Sequence, residues 1–205
     1  KGCLPEGTGW AAGAAGLSGP ADRVHQQLIA RADGLLLVGW DPVELRDHWL
    51  PGWSDDAEVV VVDTHAPTDL PCRIDALHTG PVATAVASFV GGASTWDVSA
   101  VAQHRAAVAS VFAEEVFGPA SAVQALQVAV DAHGDVVVTL DVGAHRITAS
   151  HVWRASRPNR LLQSNGWSSM GYGLPAALAA VAAGHPAVAL MGDMGLQLVL
   201  GELGT

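Results

Sequence analysis

Cysteine is almost missing from this chain. Its two residues, Cys3 and Cys72, stand neither in a C-x-x-C pair nor beside a histidine cluster, which excludes a disulfide framework. Positive charge is also scarce: ten Lys and Arg against twenty Asp and Glu give a formal net charge of −10. Such a field repels polyanions and argues against nucleic-acid or anionic-membrane partners. The nine histidines contain no H-x-x-x-H or H-E-x-x-H pairing, so a zinc site is not expected. No run of about 18 unbroken apolar residues occurs, and no basic segment precedes an apolar one at the start. A cytoplasmic location with no membrane partner is the expectation. What the chain has is apolar mass: 50% of its 205 residues are hydrophobic, enough to pack one large core or two small ones.

The apolar residues fall into short runs separated by helical stretches. In the first half, a helix over 21–32 precedes a buried strand, Leu35 to Val38, which ends at Gly39. A second strand, Val59 to Val62, ends at Asp63, and uninterrupted β-branched runs of this kind belong to sheets covered on both faces. Helices are expected over 81–90 and 99–116, broken between them at 91–94, with Phe117-Gly118-Pro119 as a linker. From Ser121 the order is helix, strand (136–140), helix, strand (161–162), helix, strand (188–191), helix. The expected class is therefore α/β, two doubly wound units with parallel sheets, which place ligands at the carboxyl ends of their strands.

Three motifs fall at such ends: Asp141-Val142-Gly143-Ala144-His145, the run LLQSNGWSSMGYGLPAALAA over 161–180, and PAVALMGDMGLQLVLGELGT over 186–205. In the last, Asp193 follows Gly192 where a strand gives way to a helix. A carboxylate there, beside exposed backbone N–H groups, suits a divalent cation bridging to a diphosphate, because the two anions alone would repel.

In order and spacing, the three motifs together resemble the cofactor-binding region of thiamine-diphosphate enzymes of the acetolactate synthase family. Lys1-Gly2-Cys3-Leu4-Pro5-Glu6 and Gly39-Trp40-Asp41-Pro42-Val43-Glu44 likewise resemble segments of that family's central domain. The resemblance implies a central domain over 1–117 and the amino-terminal part of the diphosphate-binding domain over 118–205. It further implies thiamine diphosphate and Mg²⁺ as cofactors, and decarboxylation of a small 2-oxo acid followed by transfer of the acyl carbanion equivalent to a second carbonyl. Protonation instead of transfer would make the protein a simple decarboxylase.

Residue by residue, the resemblance puts Gly143, Ala144 and His145 around the diphosphate. Taken alone, His145 would read as a structural histidine; its place in D-V-G-x-H assigns it. The main-chain carbonyl of Ser168 faces the cofactor's 4′-amino group, at a position where relatives often carry glycine. Met170 wedges between the two rings, and Gly192, Asp193, Met194 and Gly195 form the metal-diphosphate turn, with Asp193 the metal ligand. Met194 stands where the family has its second glycine, so its side chain is expected to crowd the approach. Some relatives hold FAD in the central domain, and the departures at Leu17-Ser18-Gly19 and Asp63-Thr64-His65 count against it here. A homodimer or tetramer is implied, as is an activating glutamate in a domain preceding Lys1, so no catalytic acid is assigned within these 205 residues and the segment alone is expected to be inactive.

Two other readings stay open on the residues. Gly171-x-Gly173-x-x-Ala176 after a strand, with Asp193 at the end of the next, contains the elements of a nicotinamide-dinucleotide fingerprint and would suit a dehydrogenase. A relative with its cofactor site blocked at Met194 would be a catalytically silent scaffold.

Overall fold

The computed structural model describes residues 4–16, 19–40, 52–67, 72–89, 95–113 and 116–205. The expectations placed on residues 1–3, 17–18, 41–44 and 91–94 lie outside the described residues. Two compact units result, Gly16–Ala100 and Lys1–Ala15 together with Val101–Thr205.

The first unit contains α1 (Gly19–Ile29), β1 (Gly34–Val38), β2 (Glu58–Asp63), β3 (Ala76–Thr79) and α2 (Val82–Ala87). Its sheet is parallel in the order β1-β2-β3. The central strand β2 carries the burial, with Val59, Val61 and Val62 almost wholly enclosed, as its β-branched run demands. The expectation of a buried β1 needs correction. Alternate residues Leu36 and Val38 remain exposed among the described residues, because β1 is an edge strand and successive side chains point to opposite faces. Strand β3 was not expected at all. It is a four-residue edge strand, exposed for three of its four residues, and so carries no apolar signal. Asp75 holds it in register, with Oδ2 accepting from the Val59 N–H at 2.9 Å.

In the second unit, most of α3 (Val98–Val111) is followed by α4 (Pro119–His133), β4 (Val137–Leu140), α5 (Ala144–Val152), β5 (Leu161–Gln163), α6 (Gly173–Ala182), β6 (Ala187–Leu190), α7 (Asp193–Leu198) and a closing 3-10 turn, Leu200–Gly204. Pro119 is not linker but the first residue of α4, with Gly118 as its N-cap. Proline suits that position because the first helical N–H has no intrahelical acceptor to lose. Helix α3 stops at Val111, short of the expected 116.

The sheet is again parallel, in the order β5-β4-β6. All four residues of β4 are buried. Val136, Val138 and Leu140 pack with Val123 and Val130 of α4, Ala149 of α5 and Trp153, the C-cap of α5, in one core. The opposite face turns to α6, where the Thr139 hydroxyl, buried in an otherwise apolar strand, donates to the Gly173 carbonyl at 2.6 Å. The segment after residue 4 is pinned to this unit by Glu6, whose N–H donates to the Ala155 carbonyl at 2.9 Å and whose Oε2 accepts from the Ala155 N–H at 2.8 Å. That bond gives the P-E pair of the first motif a structural role.

At the amino ends of the strands, Asp135 draws together three segments. Its carboxylate accepts from Arg160 and Arg157 and lies 3.9 Å from His185 Nδ1. The Arg160 hydrogen bond, followed by the charges of Arg157, Arg160 and His185, holds its pKa below the usual carboxylate value. Stability from this clasp is therefore complete above the unfolded carboxyl pKa of about 3.9 and is lost as pH falls through the lower folded value. Asp135→Asn is expected to remove this acid-limb dependence and to leave the pH profile of stability above about 5 parallel to wild type, as followed by thermal unfolding across pH. An unchanged acid limb would show that the clasp contributes nothing.

Candidate cofactor site

From β4 the chain goes to β5 on one side and then to β6 on the other. Strand order thus reverses at β4, and in an open α/β sheet the crevice at the carboxyl ends around such a reversal is where a ligand is received. The Asp141 N–H donates to the Leu190 carbonyl at 3.0 Å, which carries the β4–β6 pairing to the edge of the sheet. The loops that leave there are 141–143 and 191–192.

His145, in the first turn of α5, lies between these loops. Its ring packs over Gly143, where a Cβ would stand 2.8 Å from Cε1, and is 3.6 Å from the Cβ position of Gly192. Gly143 has φ +148°, so both the backbone and the imidazole require glycine there. His145 Nε2 is buried and makes no hydrogen bond with the described residues. Gly143, Ala144, His145 and Gly192 are thus brought together. Asp193 follows on the exposed first turn of α7. Among the described residues no group of three His, Cys, Asp or Glu could enclose a metal by itself. Asp193 can therefore supply one carboxylate, with the remaining ligands of a hard cation left to phosphate oxygens or water.

Beneath both loops lies Asp141, 0% exposed. Its Oδ2 accepts from the Gly171 N–H at 3.0 Å and its Oδ1 has no partner among the described residues. Gly195 packs directly on this carboxylate, and a Cβ there would stand 1.9 Å from Oδ2. The closely packed glycine of the α7 turn is therefore Gly195, while the Met194 side chain, 54% exposed, points away from that contact. The glycines of the dinucleotide-like run also face Asp141. The Gly171 N–H is committed to the carboxylate rather than to a phosphate, and Gly173 packs on Asp141 and Met191.

The turn between β5 and α6 carries Ser168 and Met170. Ser168 is in the left-handed region with φ +47°, which costs a residue with a Cβ roughly 1–2 kcal/mol. Arg146 of α5, 6% exposed, reaches it: Nη1 donates to Ser168 Oγ at 2.9 Å and Nη2 to Asn165 Oδ1 at 3.1 Å. Met170 and Trp167 are 47% and 94% exposed.

In the sequence Asp141 stood only as the first residue of its motif, with no role assigned, and Arg146 was not singled out. Asp141 carried a signal, an acid closing a mostly apolar strand two residues before a glycine. Arg146 had only its adjacency to His145.

Residues 141–205 match the family model "Thiamine pyrophosphate enzyme, C-terminal TPP binding domain". The chain is also 27% identical over 195 residues to the acetolactate synthase of Bacillus subtilis, covering 87% of this chain and 33% of that protein. To acetolactate synthase 2, chloroplastic, of Brassica napus it is 36% identical over 96 residues, 46% of this chain and 15% of the relative. To the acetolactate synthase isozyme 3 large subunit of Escherichia coli it is 39% identical over 74 residues, 35% of this chain and 13% of the relative. The chain is therefore similar to acetolactate synthases over most of its length, and its last 65 residues match the cofactor-binding domain of thiamine pyrophosphate enzymes. It spans a third or less of the length of these relatives. The matched region begins at Asp141 and takes in both loops at the ends of β4 and β6 and the Ser168 turn. Among the described residues no helix is long and apolar enough to cross a membrane.

The contact between Gly195 and Asp141 predicts an inverted glycine effect. Alanine at an ordinary helical glycine gains up to about 1 kcal/mol. Here Gly195→Ala is expected to destabilise by about 1–3 kcal/mol through overpacking, whereas Met194→Gly at the exposed neighbour should cost no more than about 1 kcal/mol. Denaturant unfolding of the two variants checks the contrast, and a Gly195→Ala protein as stable as wild type would contradict it.

Proposed function

We propose that the protein decarboxylates a small 2-oxo acid such as pyruvate and transfers the acyl carbanion equivalent to a second carbonyl, using thiamine diphosphate held through Mg²⁺ and working as a homodimer or tetramer. One observation carries the cofactor assignment. The loops closing β4 and β6 converge on His145, with glycine at 143 and 192 against its ring and a buried Nε2 that has no partner among the described residues.

On this reading the residues divide the work of holding and orienting. The backbone of Gly143 and Ala144, at the amino end of α5, offers N–H groups to the diphosphate, and the orphaned His145 nitrogen gains a phosphate oxygen as partner. Asp193 is the protein's ligand to Mg²⁺, and the cation is what allows a carboxylate and a diphosphate to share one strand edge. The Ser168 carbonyl takes the 4′-amino group, and half-exposed Met170, which bends easily and packs against rings, supports the two heterocycles. Gly192, Gly195 and the outward Met194 shape the turn that carries Asp193. When bound, thiamine diphosphate supplies the electron sink for the pair released as CO₂ departs. The family resemblance supports the reaction class, and the domain division at 117/118 is proposed on the same ground.

In the full-length protein, Asp193→Ala should weaken thiamine-diphosphate binding in the presence of Mg²⁺ at least about tenfold, equivalent to 1.4 kcal/mol, with the circular dichroism of the fold unchanged. Chelation of Mg²⁺ should weaken wild type to the level of the variant and affect the variant little. Binding that is equal in both proteins and indifferent to chelation would mean that the metal ligand lies elsewhere.

A further inference from the structure

The cofactor reading leaves Arg146 without a part. Its guanidinium is buried on α5, yet both terminal nitrogens are turned to one short turn, Nη1 to Ser168 and Nη2 to Asn165. Of all residues on that turn, Ser168 has the backbone that most needs holding. It is a non-glycine residue at φ +47°, and such a conformation persists in an L-residue only where its surroundings over-determine it. An arginine fork suits the task, since its planar donors fix two acceptors in one orientation where a lysine would fix one point.

We propose that Arg146 is a positioning residue for the cofactor. By clamping the Ser168 hydroxyl and the Asn165 amide oxygen, it holds the Ser168 peptide in the left-handed conformation and so aims the carbonyl that the reading above assigns to the aminopyrimidine. This rests on the thiamine-diphosphate reading of the site. The clamp substitutes for glycine: a residue without a Cβ takes this conformation unaided, whereas a serine here takes it with an arginine behind it. The same two bonds tie the turn that bears Met170 to the helix that bears His145, so the ring-binding and phosphate-binding parts of the site move as one.

The test uses the full-length protein and two readouts. With Mg²⁺ present, the thiamine-diphosphate dissociation constant of Arg146→Ala should rise about tenfold and that of Arg146→Lys by less. The double variant Arg146→Ala/Ser168→Gly should recover most of the loss, which a general contribution of Arg146 to folding or to site charge would not allow. Without cofactor, amide hydrogen exchange over 164–170 should quicken in Arg146→Ala and in Arg146→Lys, the second variant keeping charge and stem should the first fail to fold. Wild-type affinity in Arg146→Ala, no recovery in the double variant, or unchanged exchange in both single variants would each overturn the proposal. Failure of wild type to bind thiamine diphosphate would overturn the cofactor reading instead, and the exchange measurement would still decide whether the clamp exists.

Discussion

A buried acid, Asp141, governs the architecture of the second unit. Asp141 closes the central strand β4, and its side chain is enclosed by backbone: the Gly171 N–H on one oxygen, Gly195 against the same oxygen, and Gly173 against its Cβ. Burying a charged or polar group is costly unless hydrogen bonds replace its water, and the Gly171 N–H supplies one such bond. Packing on this acid therefore explains glycine at 195 and, together with Met191, at 173, whereas Gly171 is fixed by its φ of +86° and by Val199, 2.8 Å from where a Cβ would stand. Asp141 also draws the β5–α6 turn and the start of α7 down onto the same point at the end of β4.

With those two segments pulled together, the outer surface of the crevice is set. The loops after β4 and β6 meet at His145, and the Ser168 turn is fastened to α5 by Arg146. The two acids of the crevice differ in kind. Asp141 is sealed beneath and faces the backbone, whereas Asp193 stands at the exposed start of α7. Only the second has the access needed to take a hydrated cation, a division of labour set by burial rather than residue type. At the other end of the sheet Asp135 clasps Arg157, Arg160 and His185, fixing the strands' amino ends and leaving the carboxyl ends free for ligand.

Much of this was legible in the sequence because parallel, centrally placed strands write themselves as apolar runs. Val59–Val62 and Val137–Leu140 are such runs, and both are core strands. Where burial falls away the signal does too. Strand β3 is mostly exposed and left no apolar trace, β1 looked buried but is an edge, and Pro119 looked like a break although it starts a helix. The motifs at the strand ends were readable because they join glycine to acid, and the resemblance to acetolactate synthases rests on them. Asp141 and Arg146 were not, since their importance lies in long-range contacts, 30 residues to Gly171 and 22 to Ser168, that no local pattern records. The glycine-rich run at 171–176 kept a dinucleotide alternative open for a related reason: the Gly171 N–H serves an internal acid, and a local pattern cannot tell an internal acceptor from a bound one.

The central claim is that the paired ends of β4 and β6 cradle a metal-bound diphosphate. The most direct measurement is a crystal structure of the full-length protein grown with thiamine diphosphate and Mg²⁺. The account predicts diphosphate density against Gly143, Ala144 and His145 with a cation between it and Asp193. Density for the diphosphate at the start of α6, or none beside His145 and Asp193 in a protein that binds the cofactor elsewhere, would contradict it.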